Sequence, residues 1–528
     1  MSGRMVREAL PKDLEDPVIS GNIGPARSEA TGGVTAMALE DLPARVSNLI
    51  NGKECPATTG KTFTKLSPDS GRPLCEAVRS DAEDISIAVQ AAVNAQAAWS
   101  GLTPVQRGNI LHDITRVMRE HRNEMAAIVA METGMSVNAA LGETDAAIAQ
   151  GEFMAGEGRR LYGRTLTSAV PDKYAMTIRQ PLGVAGLIIA ANTPIANVAW
   201  KVFPALICGN TAVLKAAEDT PATAWYFGRL AHLAGLPPGV LNIIQGYGRE
   251  AGASLVENPG VDVISFTGST AVGRRIAAVA GERLLKVSLE LGGKNPLVVC
   301  DDADLDNAVK WTLLSAFSNA GQRCAAASRI IIFDAVYDQF LERLVERTRK
   351  LRVGPGNSDD FGPVINKRQL DNILGIIKRA QRHGAVILTG GQRLTSGPRA
   401  NGFYMAPTLI ENVRPHDEIS TTELFGPVAC LYRVKGFTDA LRLANDSSYG
   451  LTASIHTRNI HRATEFTRKV QAGVAVVNGG THGSEPHMPF GGLKQSGNGW
   501  REPGTEALDI YSDVKGIYMN IDPDEAYA

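Results

Sequence analysis

The segment Val263-Ile-Ser-Phe-Thr-Gly268-Ser269-Thr-Ala-Val-Gly273 runs from apolar residues through a glycine turn into a helical pattern. This is the typical sequence of a strand that leads directly into a helix. The first N–H groups of such a helix favour phosphate, and glycine allows a ligand to approach the backbone closely. A single Gly-x-x-x-x-Gly motif occurs in many proteins, so the neighbouring segments decide the fold.

Further apolar runs precede this segment and alternate with helical stretches such as residues 220–233. The runs are residues 184–190, 211–215 and 240–245. Strands that alternate with helices predict parallel βαβ units in an open, doubly wound α/β sheet. Ligands bind at the carboxyl ends of the strands in such sheets. Asn192, Lys215 and Gly268 each lie at or just after a predicted strand end.

A second α/β series starts near Pro296 and includes Cys324, which predicts a second domain. Its predicted strands are residues 297–300, 330–333, 429–434 and 474–478, and its predicted helices are residues 335–351 and 367–383. Upstream, Thr103-Pro104 combines a cap residue with proline at the first helical position, which predicts the start of a helix. Helices are also predicted at residues 81–99 and 123–132.

Composition narrows the class of protein. Lys plus Arg is 54 and Asp plus Glu is 55, so the net charge of −1 gives no reason to expect nucleic acid or an anionic membrane as a partner. The six cysteines form no Cys-x-x-Cys pair, which indicates reduced thiols of a cytoplasmic protein and no metal site. No apolar run reaches the roughly 20 residues of a membrane span. Residues 1–37 are polar and Gly-rich, and we expect them to be a disordered extension.

Two segments carry side chains suited to covalent catalysis. The first is Phe317-Ser-Asn-Ala-Gly-Gln-Arg-Cys324, and the second is Leu289-Glu290-Leu-Gly-Gly-Lys-Asn-Pro296. A thiol is a candidate nucleophile, and a carboxylate after an apolar strand is a candidate base. Taken singly, a lone cysteine is more often a buried small hydrophobe, and a strand-end glutamate is about as often solvated.

Together these segments resemble the two active-site signatures of the NAD(P)-dependent aldehyde dehydrogenase superfamily, and matching segments run from about Leu49 to about Tyr518. The resemblance implies a Rossmann-type parallel sheet for NAD, a second α/β catalytic domain and a β oligomerisation arm. The implied boundaries are residues 38–163 and 182–292 for the NAD-binding domain, 293–505 for the catalytic domain, and 164–181 and 506–522 for the arm.

The same resemblance implies roles for further residues. Asn192 corresponds to the oxyanion-hole asparagine, although its neighbours read Ala-Ala-Asn-Thr-Pro where most relatives read Pro-Trp-Asn-Phe-Pro, which changes the shape of the substrate tunnel. Lys201 and Glu502 match a proton-relay pair, with a structural salt bridge as the alternative. The implied cofactor-binding residues are Lys215, Glu218, Gly268, Ser269, Gly273, Glu423 and Phe425. Glu218 at the ribose favours NAD over NADP, and dual use stays open.

The sequence therefore predicts an aldehyde dehydrogenase that forms a thiohemiacetal and then a thioester on Cys324, hydrolysed by water that Glu290 activates. The rival enzyme activity is transfer of the acyl group to coenzyme A or phosphate, and Glu290 argues against it. The polar loop of residues 480–487 favours a small polar aldehyde or a semialdehyde, and an aromatic aldehyde is the alternative. His482 and His487 in that loop are predicted to be pocket or surface residues. A non-catalytic binding protein on the same scaffold is the rival from another class. The arm predicts a homodimer or homotetramer.

Overall fold

The computed structural model describes residues 42–527, and the extension predicted for residues 1–37 lies outside this range. In chain order the strands are β1 (Arg45–Val46), β2 (Asn48–Ile50), β3 (Lys53–Cys55), β4 (Thr62–Leu66), β5 (Pro73–Val78), β6 (Thr165–Leu166), β7 (Lys173–Pro181), β8 (Val184–Ile188), β9 (Thr211–Lys215), β10 (Leu241–Ile244), β11 (Val263–Thr267), β12 (Lys286–Glu290), β13 (Asn295–Val299), β14 (Ala327–Phe333), β15 (Val386–Thr389), β16 (Thr408–Glu411), β17 (Val428–Val434), β18 (Tyr449–Gly450), β19 (Thr452–His456), β20 (Val474–Val477), β21 (Leu493–Lys494) and β22 (Ser512–Asn520).

The α-helices, again in chain order, are α1 (Ala82–Gly101), α2 (Pro104–Glu120), α3 (Arg122–Thr133), α4 (Val137–Glu157), α5 (Pro194–Ile207), α6 (Pro221–Leu233), α7 (Ala253–Glu257), α8 (Thr270–Glu282), α9 (Leu305–Phe317), α10 (Asp334–Arg349), α11 (Lys367–Arg382), α12 (Glu418–Thr421), α13 (Phe437–Asn445), α14 (Ile460–Lys469) and α15 (Ala507–Tyr511). Helix α2 begins as its sequence predicts: the Gln106 N–H donates to Thr103 Oγ1 at 3.2 Å, and the Thr103 N–H donates to Gln106 Oε1 at 2.9 Å.

The first large sheet has the strand order β12-β11-β8-β9-β10-β2-β3, and its members from β8 to β12 are parallel. Every residue of β8, β9 and β10 is buried, as expected for a sheet covered by helices on both faces. Strand β8 pairs with β9 on one side and β11 on the other, so the chain reverses its winding there. The carboxyl ends of β8 and β11 therefore border the crevice where such sheets bind ligands.

The second large sheet has the order β15-β16-β17-β14-β13-β19-β20 and is parallel except for the edge strand β15. Only residues 291–294 separate the end of β12 from the start of β13. The chain thus leaves the carboxyl edge of the first sheet and enters the amino edge of the second within one short segment. The α/β fold class with two parallel sheets is confirmed, and the exact domain boundaries stay a prediction.

The segments predicted to form the arm build a separate three-stranded sheet with the order β22-β7-β6. Strands β6 and β7 form the expected hairpin, and β22 pairs antiparallel with β7 along its whole length, from Ser512 opposite Pro181 to Asn520 opposite Lys173. Two short sheets, β1-β5-β4 and β18-β21, complete the strand pairing. Within residues 42–527 no helix has the length and apolar character needed to cross a membrane.

Candidate active site

The loop before Cys324 has an unusual backbone. After α9 ends, Asn319, Ala320 and Gly321 have φ angles of 52°, 54° and 68°, so three successive residues are left-handed. Such a conformation is costly for residues with a Cβ and persists where neighbours fix it. Gln322 provides part of that support, since its Nε2 donates to Pro363 O at 3.2 Å and its Oε1 accepts from the Ile365 N–H at 2.8 Å.

The Cys324 thiol lies half-buried where the two large sheets meet. The backbone carbonyl oxygen of Cys324 accepts a hydrogen bond from Asn295 Nδ2 at 2.8 Å. A Cβ at Gly293 would lie 2.4 Å from that carbonyl, so the close approach requires glycine. Burial, followed by the nearby Glu423 and Glu290 carboxylates, raises the pKa of the Cys324 thiol to about 12. The resting side chain is therefore a neutral thiol at physiological pH.

Asn192 follows β8 and contacts the nucleophile loop directly. Its Nδ2 donates to Gln322 O at 3.0 Å, and its carbonyl oxygen accepts from Asn319 Nδ2 at 3.0 Å. An amide nitrogen carries two hydrogens, and Gln322 takes only one of them. The structure thus brings Asn192 and the Cys324 loop together, and the oxyanion role of Asn192 stays a prediction.

Glu290 is the last residue of β12, and its side chain is almost completely buried. Neither of its carboxyl oxygens finds a hydrogen-bond partner among the described residues. Burial and the charge of Glu502 raise its pKa well above the usual value, while Lys201 and Arg501 oppose that rise. A buried carboxyl group with no internal partner is available to a water or a ligand.

Lys201 and Glu502 form an ion pair with no solvent exposure beside Glu290. Lys201 Nζ lies 2.9 Å from Glu502 Oε2 and 2.6 Å from Ser265 Oγ. Ser265 Oγ donates to Glu502 Oε1 at 2.8 Å, and the Tyr511 hydroxyl also donates to Oε1 at 3.2 Å. Ser265 and Tyr511 complete this network without a local sequence signal, since a strand serine and a helix tyrosine resemble ordinary core residues.

The predicted ribose residues lie at the carboxyl end of β9. Lys215 Nζ is 3.6 Å from Glu218 Oε2, which also accepts from the Gly248 N–H at 3.0 Å. Ser269 caps α8, and its hydroxyl accepts from the Val272 N–H at 3.4 Å. A Cβ at Gly273 would lie 2.5 Å from Leu291, so this glycine allows α8 to pack tightly beside the end of β12.

Glu423 and Phe425 approach the same place from the second domain. Glu423 Oε1 accepts from the Gly293 N–H at 2.9 Å, and burial raises its pKa to about 7. A Cβ at Gly292 would lie 2.0 Å from Glu423 Oε2, so a larger residue there would force the Glu423 carboxyl group to move. Phe425 has a φ of 52°, a rare conformation for an aromatic residue, and such outliers cluster at ligand sites.

The loop that covers Cys324 is anchored by Thr481, whose hydroxyl donates to Ala325 O at 2.7 Å. His482 is partly buried beside Trp311, with a ring centroid distance of 6.5 Å, while His487 is exposed and lies 3.5 Å from Glu485. No group of three or more His, Cys, Asp or Glu residues that could hold a metal occurs in the described range.

Two residues that the sequence does not single out also lie at this site. Arg323 directly precedes the nucleophile, and Glu143 on α4 reaches α5, where its Oε1 accepts from the Ile195 and Ala196 N–H groups at 2.9 and 3.2 Å. Arg323 stands inside the nucleophile motif, so attention to its charge could have found it. Glu143 lies in mid-helix, and nothing in its local pattern separates it from a surface glutamate.

Comparison with known proteins agrees with this geometry. Residues 55–517 match the model of the aldehyde dehydrogenase family. The α-ketoglutaric semialdehyde dehydrogenase of Bacillus subtilis is 39% identical over 475 residues, covering 89% of this chain and 97% of that protein. A putative aldehyde dehydrogenase from Burkholderia cenocepacia has a solved structure with a TM-score of 0.88 at 34% identity, covering 90% of this chain and 98% of that one.

A third relative was solved with its cofactor. The betaine aldehyde dehydrogenase of Staphylococcus aureus in complex with NAD+ gives a TM-score of 0.89 at 31% identity, covering 92% of this chain and 96% of that one. The fold, the paired active-site segments and these similarities lead to one conclusion. The chain belongs to the aldehyde dehydrogenase family and is an aldehyde oxidoreductase that uses NAD(P).

Proposed function

We propose that this enzyme oxidises an aldehyde to a carboxylic acid through a covalent intermediate on Cys324. The observation that carries the proposal is that the segment after Glu290 packs against Cys324: a Cβ at Gly293 would lie 2.4 Å from Cys324 O, and the Glu290 charge contributes to the raised pKa of the thiol. A thiol supplies the nucleophile, and a buried carboxyl group without an internal partner supplies the base.

In the first half-reaction the Cys324 thiol releases its proton to water, the sulfur bonds to the aldehyde carbon, and the electron pair of the C=O π bond moves to the oxygen, which takes up negative charge. Asn192 is held against the nucleophile loop with one amide hydrogen left for that oxygen, and the backbone N–H of Cys324 is the second donor. One such donor lowers a barrier by about 3 kcal/mol. Loss of hydride from the thiohemiacetal leaves a thioester on Cys324.

The residues around the site fit NAD. Gly292 leaves room for the Glu423 carboxyl group, and the Gly293 N–H donates to it. Glu218 would offer carboxylate oxygen to ribose hydroxyls, and Gly268 with Ser269 opens α8 for phosphate. When bound, NAD+ accepts the hydride and brings a positive ring charge. Phe425 and Glu423 would orient the nicotinamide end, and Lys215 with Glu218 would hold the adenosine ribose.

In the second half-reaction Glu290 takes a proton from water, the water oxygen bonds to the acyl carbon, and the C–S bond breaks to release the acid; the Cys324 sulfur leaves as a thiolate and recovers a proton. The raised pKa of Glu290 makes its carboxylate a stronger base than an exposed glutamate. Lys201 and Glu502 place charges beside Glu290, which supports a role in passing or holding this proton. A glutamate at this position also disfavours transfer of the acyl group to coenzyme A, and the survival of Cys324, Glu290 and Asn192 disfavours a non-catalytic scaffold protein.

The substrate proposal is a small polar aldehyde or a semialdehyde. The polar loop of residues 480–487 supports it, and so does the α-ketoglutaric semialdehyde named for the B. subtilis relative. An aromatic aldehyde is the second candidate, because Trp200 and Phe490 pack beside Cys324 with their ring centroids 5.5 Å apart.

The test is NADH formation at 340 nm with a panel of polar, semialdehyde, aromatic and long aliphatic aldehydes, ranked by kcat/KM. Cys324→Ala should abolish NADH formation while calorimetry still detects NAD binding. Mass spectrometry of the wild-type enzyme, quenched in acid during turnover, should find the acyl group on the peptide that contains Cys324. Substantial turnover by Cys324→Ala would refute the proposed nucleophile.

A further inference from the structure

The most unusual polar group near the nucleophile is the guanidinium of Arg323. Burial lowers its pKa, and its Nε is buried without a hydrogen-bond partner. Across residues 42–527, no carboxylate forms an ion pair or a hydrogen bond with this side chain. Arg323 is partly buried, and withdrawing a cation from water without a direct ion pair is costly, so a site that keeps one has a use for it.

Two ionisable side chains interact with Arg323 electrostatically, and among the described residues neither forms an ion pair or a hydrogen bond with it. His482 has a pKa lowered to about 4 by burial and by Arg323 itself, so its imidazole is neutral at pH 7, and its Nδ1 is buried without a partner. Glu143 uses Oε1 to cap α5, and its Oε2 also lacks a partner. Burial raises the pKa of Glu143 to about 7, which weakens its negative charge near neutral pH.

These groups come from three elements that meet at the nucleophile: α4 carries Glu143, the loop before β14 carries Arg323, and the loop held by Thr481 carries His482. Arg323 directly precedes Cys324 in the chain, and its charge acts on Glu143 and on His482, which makes the guanidinium a candidate partner for the far end of a substrate bound to the thiol. A planar guanidinium pairs best with a carboxylate, through two parallel N–H···O bonds. The neutral imidazole of His482 offers one more polar contact.

We propose that Arg323 binds the remote carboxylate of the substrate, so that the preferred substrates are short ω-oxo acids and the products are dicarboxylates. This inference rests on the proposed function, and it adds the residue that selects the substrate. Glu143 acts in the opposite sense, because its charge repels the incoming carboxylate. Thus Arg323 sets the preference for anionic aldehydes, and Glu143 limits it.

The test compares each ω-oxo acid with a neutral aldehyde of the same shape: 4-oxobutanoate with 4-methylpentanal, and 5-oxopentanoate with 5-methylhexanal. The readout is the ratio of kcat/KM for the acid to kcat/KM for its neutral partner. We expect the wild-type ratio to exceed one in at least one pair. Arg323→Gln should lower that ratio by about 100-fold, and Arg323→Lys should keep part of it, because a lysine retains charge without the planar fork.

Two carboxylate variants on α4 provide an independent test. Glu143→Gln should raise the ratio several-fold by removing a competing negative charge. Glu152→Gln is the matched control, because Glu152 pairs with Arg119 on the exposed side of the same helix, and it should leave the ratio unchanged. The inference is overturned if both wild-type ratios fall below one, or if Arg323→Gln keeps the wild-type ratio.

A binding measurement separates this inference from the proposed function. Calorimetry of Cys324→Ala with NAD and butanedioate or pentanedioate needs no turnover. Binding of a dicarboxylate that weakens in the Cys324→Ala/Arg323→Gln double variant supports the anchor even if every aldehyde assay fails. Equal binding to both proteins, or no binding to either, contradicts the anchor even if neutral aldehydes are oxidised.

Discussion

Lys201 Nζ lies 2.9 Å from Glu502 Oε2 in an ion pair without solvent exposure, and both charges act on the neighbouring Glu290. Glu502 raises the pKa of Glu290, and Lys201 lowers it. We therefore expect the pair to tune the pH at which Glu290 can act as a base, whether or not it also carries protons.

Opposite pH shifts are expected from the two halves of this pair. Glu502→Gln removes the negative charge, so the pKa of Glu290 should fall and the acid limb of the kcat profile should move to lower pH. Lys201→Met should move it to higher pH. Breaking a buried pair also costs about 3–5 kcal/mol of stability, which urea unfolding can measure. Shifts in the same direction for both variants would contradict an electrostatic role.

Glu290→Gln should separate the two half-reactions. Glutamine cannot take a proton from water, so the thioester should accumulate after a burst of NADH close to one per subunit. Steady-state turnover should fall at least about 100-fold. Stopped-flow absorbance measures the burst, and acid-quench mass spectrometry detects the acyl-enzyme. Glu282→Gln on the exposed end of α8 is the control. Unchanged steady-state rates at several pH values would exclude Glu290 from the mechanism.

Glu218 should discriminate between the two nicotinamide cofactors. Its carboxylate is fixed by the Gly248 N–H and by Lys215, where a 2′-phosphate would meet negative charge. We expect higher kcat/KM with NAD than with NADP. The ratio of kcat/KM with NAD to kcat/KM with NADP should fall about tenfold in Glu218→Ala. Equal or reversed preference in the wild-type enzyme would show this assignment to be wrong.

Two glycine variants test whether Glu423 holds the nicotinamide end of NAD. Gly292→Ala would place a Cβ 2.0 Å from Glu423 Oε2, so Glu423 must move, and the KM for NAD should rise about tenfold. Gly281→Ala in α8 meets nothing within 4 Å and should keep activity while gaining up to about 1 kcal/mol of stability. Steady-state kinetics measures the KM for NAD, and thermal unfolding measures the change in stability. Similar NAD kinetics in the two variants would remove Glu423 from the cofactor site.

The arm should direct assembly into a homodimer or a dimer of dimers. Val514 and Tyr518 on β22 are 62% and 69% exposed, beside the long pairing with β7. Exposed apolar strands invite pairing with another chain. Deletion after Asp513 should give a destabilised or monomeric protein, and Val514→Lys should weaken assembly while β22 stays paired with β7. Light scattering that finds a monomer for the intact chain at micromolar concentration would overturn this expectation.

The parallel strands were readable from sequence because they are covered on both faces. Residues 211–215 were predicted as a strand, and β9 spans that range with every residue buried. Helix α4 gives no comparable signal: it is rich in Ala and Gly, and it buries polar residues such as Glu143 and Gln150, which blurs an apolar stripe. Local patterns predict elements well where burial is uniform, and poorly where polar groups are buried.

Some features of the active site can be predicted from short motifs, and others depend on packing between distant segments. Cys324 and Glu290 stand in short motifs, and the resemblance supplied Lys201 and Glu502 as a pair. No pattern reveals that the Glu290 oxygens lack partners, or that no carboxylate pairs directly with Arg323 among the described residues, because these are properties of packing between elements far apart in sequence. The sequence likewise cannot reveal that a Cβ at Gly292 would meet the Glu423 carboxyl group, because the two residues come together only in the folded chain.

The Lys201–Glu502 pair also bears on how the protein is made. The two residues are 301 positions apart, so a ribosome that has just added Lys201 must add about 300 more residues before Glu502 is synthesised. At about 5–20 residues per second, that interval lasts roughly 15–60 s. Throughout it, the nascent first sheet cannot close over Lys201 without burying an unpaired charge. The site beside Glu290 is therefore completed late in synthesis, when residues 502–511 dock onto the finished sheet.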